Sequence, residues 1–213
     1  MAEQEGVIKY KLDFSTEPLV IDDAILREVN AARDAMCREG LIGVDTARYG
    51  GLGFGNLSVR GIAPDQGELL ISGSQTGHLA ELTASDVACV TGSDSQRNVL
   101  CAKGLTVPSS ESMTHAVLYQ CDAAIDAIIH VHSPDIWYHG AALGLPATAA
   151  DIMYGTPEMA SAVVRLVSDA KRGKMPITLF MRGHQDGVIA AGENLAQCVL
   201  VLRQLLKRAQ ELN

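Results

Sequence analysis

Large aromatic side chains are scarce: 213 residues contain one Trp and three Phe, so aliphatic and Ala side chains must fill the interior. Paired cysteines are missing as well. Cys37, Cys89, Cys101, Cys121 and Cys198 are odd in number and form no Cys-x-x-Cys, which argues against a disulfide framework or a thiolate metal cage and fits a reducing compartment. There is no basic run, and the net charge is −8, so no nucleic acid is expected as a partner; displacing its counterions needs an electropositive surface. No apolar run approaches the roughly 20 residues that cross a bilayer, and Met1 to Tyr10 lacks the basic start and apolar stretch of a signal peptide. The expectation is a cytoplasmic protein with no membrane association and small molecules as partners. Repeats, linkers and low-complexity tracts are also lacking. An apolar fraction of 47% with 20% charged residues is a globular balance, and the length fits one domain over residues 1–213, with 1–18 as an N-terminal arm.

What is present alternates between two periods. Ile8, Tyr10, Leu12 and Phe14 alternate with polar residues, as in a strand with one buried face. From Asp22 to Glu39 the spacing of Ile25, Val29, Ala32 and Met36 predicts a helix, with Asp22 as N-cap and Gly40 as terminator. A Gly-rich loop, Asp45 to Gly55, leads into a short strand, Asn56 to Arg60, and Leu69 to Ile71 reads as another. Thr83 and Asp86 form a capping-box pair ahead of Val87 to Thr91, and Ser109-Ser110 cap a helix from Glu111 to about Gln120. Ala127 to His132 is a strand, followed by Ser133-Pro134 opening a helix from Asp135 to Leu143. A helix opens at Thr156-Pro157-Glu158, with Met159, Val163 and Leu166 inward; Ile177 to Met181 and Val188 to Ala191 are strands. Asn194 caps a last helix with Leu195, Val199, Leu202 and Leu206 on one face. Interleaved strands and helices point to an α/β layered domain.

His130 and His132 fall on the same face of their strand, close enough to take two adjacent corners of a tetrahedral ion. Two histidines on an apolar strand serve equally well as buried hydrogen-bonding residues. Glu111 opens the preceding helix, however, and His184 lies between the last two strands, where a third ligand can arrive from elsewhere in the fold. Three neutral imidazoles would leave a cation able to polarise a carbonyl, and a carboxylate beside it can remove a substrate proton. Gly51-Leu52-Gly53-Phe54-Gly55 leads into a strand instead of opening a helix after one, so it is a turn and not a nucleotide loop.

Several segments in order carry a resemblance: Gly55-Asn56-Leu57-Ser58-Val59-Arg60, Leu70-Ile71-Ser72-Gly73-Ser74, Ser109-Ser110-Glu111, His130-Val131-His132-Ser133-Pro134, Pro146-Ala147-Thr148, Tyr154-Gly155-Thr156-Pro157-Glu158 and the late His184. Together, over about Asp22 to Glu211, they resemble the class II aldolase/adducin family. The resemblance implies a three-layer α/β/α sandwich around a largely antiparallel central sheet, assembled as a homotetramer. It implies a divalent metal on His130, His132 and His184, zinc first, with Mn²⁺, Co²⁺ or Ni²⁺ as alternatives, and Glu111 as catalytic acid/base. Gly55, Asn56, Ser72, Gly73, Ser109 and Ser110 match positions that hold the phosphate in sugar-phosphate members.

The activity implied is that of an aldehyde-lyase acting on a hydroxylated sugar or sugar phosphate through a metal-stabilised enediolate. An epimerase, a dehydratase or a decarboxylase on the same site, and a non-catalytic adducin-like interaction module, are the alternatives. Three departures bear on the substrate. Ser72-Gly73-Ser74-Gln75-Thr76-Gly77 stands where sugar-phosphate members read Thr-Pro-Ser-Gly, and Gly183-His184-Gln185-Asp186-Gly187 has two extra residues before its last glycine. Ala150 stands where aldolases of the family carry a tyrosine that protonates the aldehyde.

Overall fold

The computed structural model describes residues 6–61, 69–169 and 175–213. Among them one sheet has eight strands: β1 (Lys11–Thr16), β4 (Asn56–Arg60), β5 (Leu69–Ser72), β6 (Val87–Asp94), β7 (Val99–Gly104), β8 (Ala127–His132), β9 (Ile177–Phe180) and β10 (Gly187–Gly192). Their spatial order is β1-β7-β6-β5-β4-β8-β10-β9, with β1 and β7 parallel and the other neighbours antiparallel. A small ribbon, β2 (Gly43–Val44) with β3 (Gly53–Phe54), stands beside it.

Helices cover both faces. α2 (Ser112–Cys121) and α4 (Pro157–Asp169) pack over one, where Met113, Ala116 and Val117 meet Met159 and Val163 above Ile71, Val90, Ile128 and Ile189. α1 (Asp23–Arg38), α3 (Pro134–Tyr138) and α5 (Leu195–Gln210) cover the other, where Val29, Met36, Ile136, Leu195 and Leu202 meet Leu57, Ile129, Val131 and Val188. This is the expected three-layer sandwich. With both faces covered, all six residues of β8 are buried, and each fully buried aliphatic side chain contributes about 1.5–3 kcal/mol.

Where residues and elements differ from expectation, local chemistry gives the reason. The Thr83–Asp86 capping box forms, but it closes a single 3-10 turn, and the buried run from Val87 continues as strand β6. The helix expected to reach Leu143 ends at Tyr138, because His139 is already its C-cap. Helix α2 begins at Ser112, with Glu111 at its cap position, and the Ser112 amide donates to the Ser109 carbonyl. In α4, Val167 is buried in place of Leu166, which is half-buried. β7 has no counterpart in the sequence reading; its Lys103 and Cys101 alternate with buried Leu100 and Ala102.

The topology places one end of β8 between three contributors. Residues of β8 alternate, so Ile128, His130 and His132 face the α2 side while Ala127, Ile129 and Val131 face α1 and α5. Asn56 of β4 and Ile189 of β10 flank His130 in register. The N-terminus of α2 and the β9–β10 connection close over the same end.

Candidate metal centre

His130 and His132 project from one face of β8 with their Nε2 atoms 3.1 Å apart. His184 comes from the β9–β10 connection, a tight hairpin in which the Met181 amide donates to the Gly187 carbonyl, the Gly187 amide to the His184 carbonyl and the His184 amide to the Met181 carbonyl. One ligand atom from each of the three imidazoles lies within 4.8 Å of the others, and all three residues are buried.

Protonation favours ligation. Burial, reinforced by the neighbouring His184, holds His130 and His132 well below the usual histidine range, so both are neutral. The Val188 carbonyl, 3.2 Å from His130 Nδ1, can only accept, which puts the proton on Nδ1 and leaves the Nε2 lone pair facing the cluster. A tetrahedral ion with Zn–N bonds of about 2.0–2.1 Å sets its ligand nitrogens roughly 3.3 Å apart, close to the Nε2 separation seen here. Three converging imidazoles, two of them neutral, therefore fit a divalent cation.

Glu111 is buried beside the cluster, its Oε1 3.6 Å from His184 Nδ1. Ser109 builds the turn that presents it: its carbonyl accepts from the Ser112 hydroxyl at 2.6 Å and the Tyr10 hydroxyl at 2.8 Å, while its own hydroxyl accepts from the Glu111 amide. Gly55, Asn56, Gly73, Ser109 and Ser110 together line a small polar cavity of about 20 Å³, with Gln75 and Gly53 at its wall. The buried Asn56 Oδ1 has no hydrogen-bond partner among the described residues. Ser72 does not join them; its hydroxyl accepts from the Leu57 amide at 3.3 Å, and it faces an apolar hollow with Ile25 and Val87.

Gly55 is required at its position. Its φ is +74°, and a Cβ there would stand 2.7 Å from Ile42 Cγ1 and 3.1 Å from the His130 carbonyl oxygen.

Other residues surround the cluster. Tyr154, fully buried, stacks on His184 with centroids 4.4 Å apart and receives the Val7 amide on its hydroxyl. Tyr49 sets its ring edge-on to His132 at 4.7 Å and donates to Asp186 Oδ2 at 2.6 Å. The only sequence trace of this pair was the Gly-rich loop around Tyr49 and the extension around Asp186. His115 lies one turn after Glu111; its Nδ1 is 2.7 Å from the Ser58 hydroxyl, which is 2.8 Å from the Tyr119 hydroxyl.

Solved structures with the same fold include L-fuculose-1-phosphate aldolase from Thermus thermophilus (TM-score 0.66, 20% identity, covering 90% of this chain and 93% of that one). A sugar-phosphate aldolase from Thermotoga maritima aligns with TM-score 0.63 at 18% identity over 89% and 93% of the two chains. YgbL from Klebsiella pneumoniae, described as a candidate aldolase/epimerase/decarboxylase, aligns with TM-score 0.62 at 20% identity over 90% and 89%. At these identities the likeness carries the fold alone. No curated protein matches in sequence. The model of the class II aldolase and adducin N-terminal domain matches residues 43–212, the greater part of the chain, and the protein therefore belongs to that family.

Proposed function

We propose that the protein is a metal-dependent aldehyde-lyase acting on a hydroxylated carbonyl compound of the sugar or sugar-phosphate class. The observation that carries this reading is the convergence of three buried imidazoles, two of them held neutral, with the buried carboxylate of Glu111 3.6 Å from the third. An interaction module gains nothing from burying an acid beside converging ligands, and burial of such groups without a task costs stability.

His130, His132 and His184 would hold the cation, zinc being the first choice for three imidazoles, and a bound cation would supply Lewis-acid polarisation of the substrate carbonyl. Glu111 then removes a proton from the carbon next to that carbonyl, and its burial keeps bulk water from competing for the proton. In the synthetic direction the carbon so activated forms the new bond to an aldehyde carbon as the aldehyde C=O π bond opens, and the oxygen takes up a proton from solvent in place of the one Glu111 removed. The cavity bounded by Gly55, Asn56, Gly73, Ser109 and Ser110 binds the far end of the substrate, using the amides at the start of α2 and the Asn56 side chain. Its walls suit a phosphate, a carboxylate or a hydroxyl.

A second reading on the same residues is epimerisation, dehydration or decarboxylation. It is favoured by Ala150, which is exposed and supplies no hydroxyl to protonate an aldehyde. A homotetramer in the cytoplasm is the assembly and location that go with either reading.

The test is exchange of a substrate α-proton with solvent deuterium, using dihydroxyacetone phosphate and the metal-loaded protein. Exchange precedes carbon–carbon bond formation, so it does not depend on knowing the aldehyde. Glu111→Gln keeps the shape but cannot take the proton, and exchange falls by on the order of 10²-fold while metal content is unchanged. Equal exchange rates at equal metal content would remove Glu111 from the mechanism.

A further inference from the structure

Tyr49 and Asp186 are 137 positions apart, and neither belongs to a strand or helix of the main sheet layers, yet the Tyr49 hydroxyl donates to Asp186 Oδ2 at 2.6 Å. That is the short end of the range for a hydroxyl on a carboxylate, where such bonds are strongest. Each residue is linked to a different histidine of the cluster. The Tyr49 ring meets His132 edge-on at 4.7 Å, and Asp186 is two residues beyond His184 in the hairpin that presents it.

Asp186 also ties its hairpin to the histidine strand by a second route, because its carbonyl accepts from the amide of Ser133, the residue after His132. Both partners are held in left-handed backbone conformations, Tyr49 at φ +51° and Asp186 at φ +62°. A non-glycine residue pays roughly 1–2 kcal/mol for that geometry and keeps it only where its surroundings impose it. On the Tyr49 side those surroundings are Phe54, packed edge-on at 5.1 Å, and Arg48, whose guanidinium lies 4.9 Å over Phe54 and pairs with Asp45 at 2.7 Å. Asp186 is only 7% exposed, so loss of the hydroxyl would leave a buried carboxylate poorly satisfied.

We propose that the Tyr49–Asp186 bond is a latch that holds the His184 hairpin against His132 and slows escape of a bound divalent cation. The two residues are positioning residues for the centre, and the inference rests on the metal-dependent reading above. The stack of Tyr154 on His184 restrains the imidazole from its other neighbour, so the latch sets the separation of the His132 and His184 rings, whose centroids are 4.8 Å apart. Release of the cation requires one histidine to swing away. His184 is the only one of the three carried on a hairpin instead of a strand flanked on both sides, and it is the one the latch restrains.

The experiment measures zinc release from the zinc-loaded full chain into excess chromogenic chelator. Tyr49→Phe keeps the ring against His132 and removes only the hydroxyl; Asp186→Ala removes the acceptor. Each is expected to speed release by about tenfold, the lower end of what loss of a supporting interaction costs a metal site. The double variant should release no faster than the faster single one, because both remove the same bond. Asp186→Asn still accepts the hydroxyl proton and tolerates the left-handed backbone, and it is expected to stay within about threefold of wild type. Melting of the metal-free proteins reads the fold separately, and Tyr49→Phe, which leaves the Asp186 carboxylate without that donor, should melt somewhat below wild type yet stay fully folded at the assay temperature. The latch is overturned if Tyr49→Phe holds zinc as long as wild type, if the two single effects multiply in the double variant, or if the metal-free Tyr49→Phe protein melts low enough to account for faster release. A wild-type protein that takes up no zinc overturns the metal reading and the latch with it, whereas normal uptake with unchanged release in the variants sinks the latch alone.

Discussion

His115 is sealed from water between Ser58 and Tyr119, and burial alone pushes its pKa down to about 3 from an ordinary 6.5. In the unfolded chain it protonates near 6.5, so between about 6.5 and 3 the unfolded state binds the extra proton. Folding stability is therefore full above pH 6.5 and is lost as the pH falls, at up to about 1.4 kcal/mol per unit for each such histidine. Urea melts of the metal-free protein from pH 7.5 to 5.5 should show this slope, with His130 and His132 adding to it in the same direction. His115→Gln should reduce it by the share of that one histidine; an unchanged slope would mean that His115 is not neutral in the fold. The paired histidines were legible as residues because a strand's period of two puts His130 and His132 on one face whatever surrounds them. The pairing of Tyr49 with Asp186 was not, since it depends on loops meeting across the chain, which no local period encodes, and Tyr154 was legible only as part of a motif.

At the scale of elements, scaffold and site are coupled at the join of β4 to β8. Gly55 precedes β4, and a side chain there would press on Ile42 and on the carbonyl of His130 itself. Gly55→Ala should cost about 1–3 kcal/mol in a urea melt, through the left-handed backbone and the clash together. It should also lower metal retention, because relief comes most directly by moving β8. Wild-type stability with full metal content would show that β4 and β8 are not so tightly joined. Helix caps were readable in advance: Asp22, Ser133 and Asn194 each accept from an amide in the first turn of their helices. Lengths were less readable. The helix expected through Leu143 stops five residues sooner, and a Cβ on Gly140, the residue after its cap, would stand 2.6 Å from the Phe180 ring, a contact no local pattern announces. Composition did not separate the turn at Ala84–Asp86 from a helix start either, since the same Thr83–Asp86 pair serves both.

On the scale of the whole molecule, the family and the layered architecture followed from motifs spread along most of the chain, and the fold brings residues of several of those motifs to one end of β8. The polar cavity gathers five of the six residues expected to bind substrate, while Ser72 is used to fasten β5 to β4. Residues from β4, α2, β8 and the β9–β10 hairpin meet there only because the sheet order sets β4 and β10 on either side of β8. On the proposed reading, a bound cation gives that convergence a purpose. Elemental analysis of the wild-type protein after reconstitution with zinc, alongside His132→Ala treated identically, tests it most directly. The prediction is about one zinc ion per wild-type chain and nearly none in the variant, with the secondary structure of the two indistinguishable. A wild-type protein that holds no divalent metal after reconstitution, or a His132→Ala protein that holds as much, would contradict it.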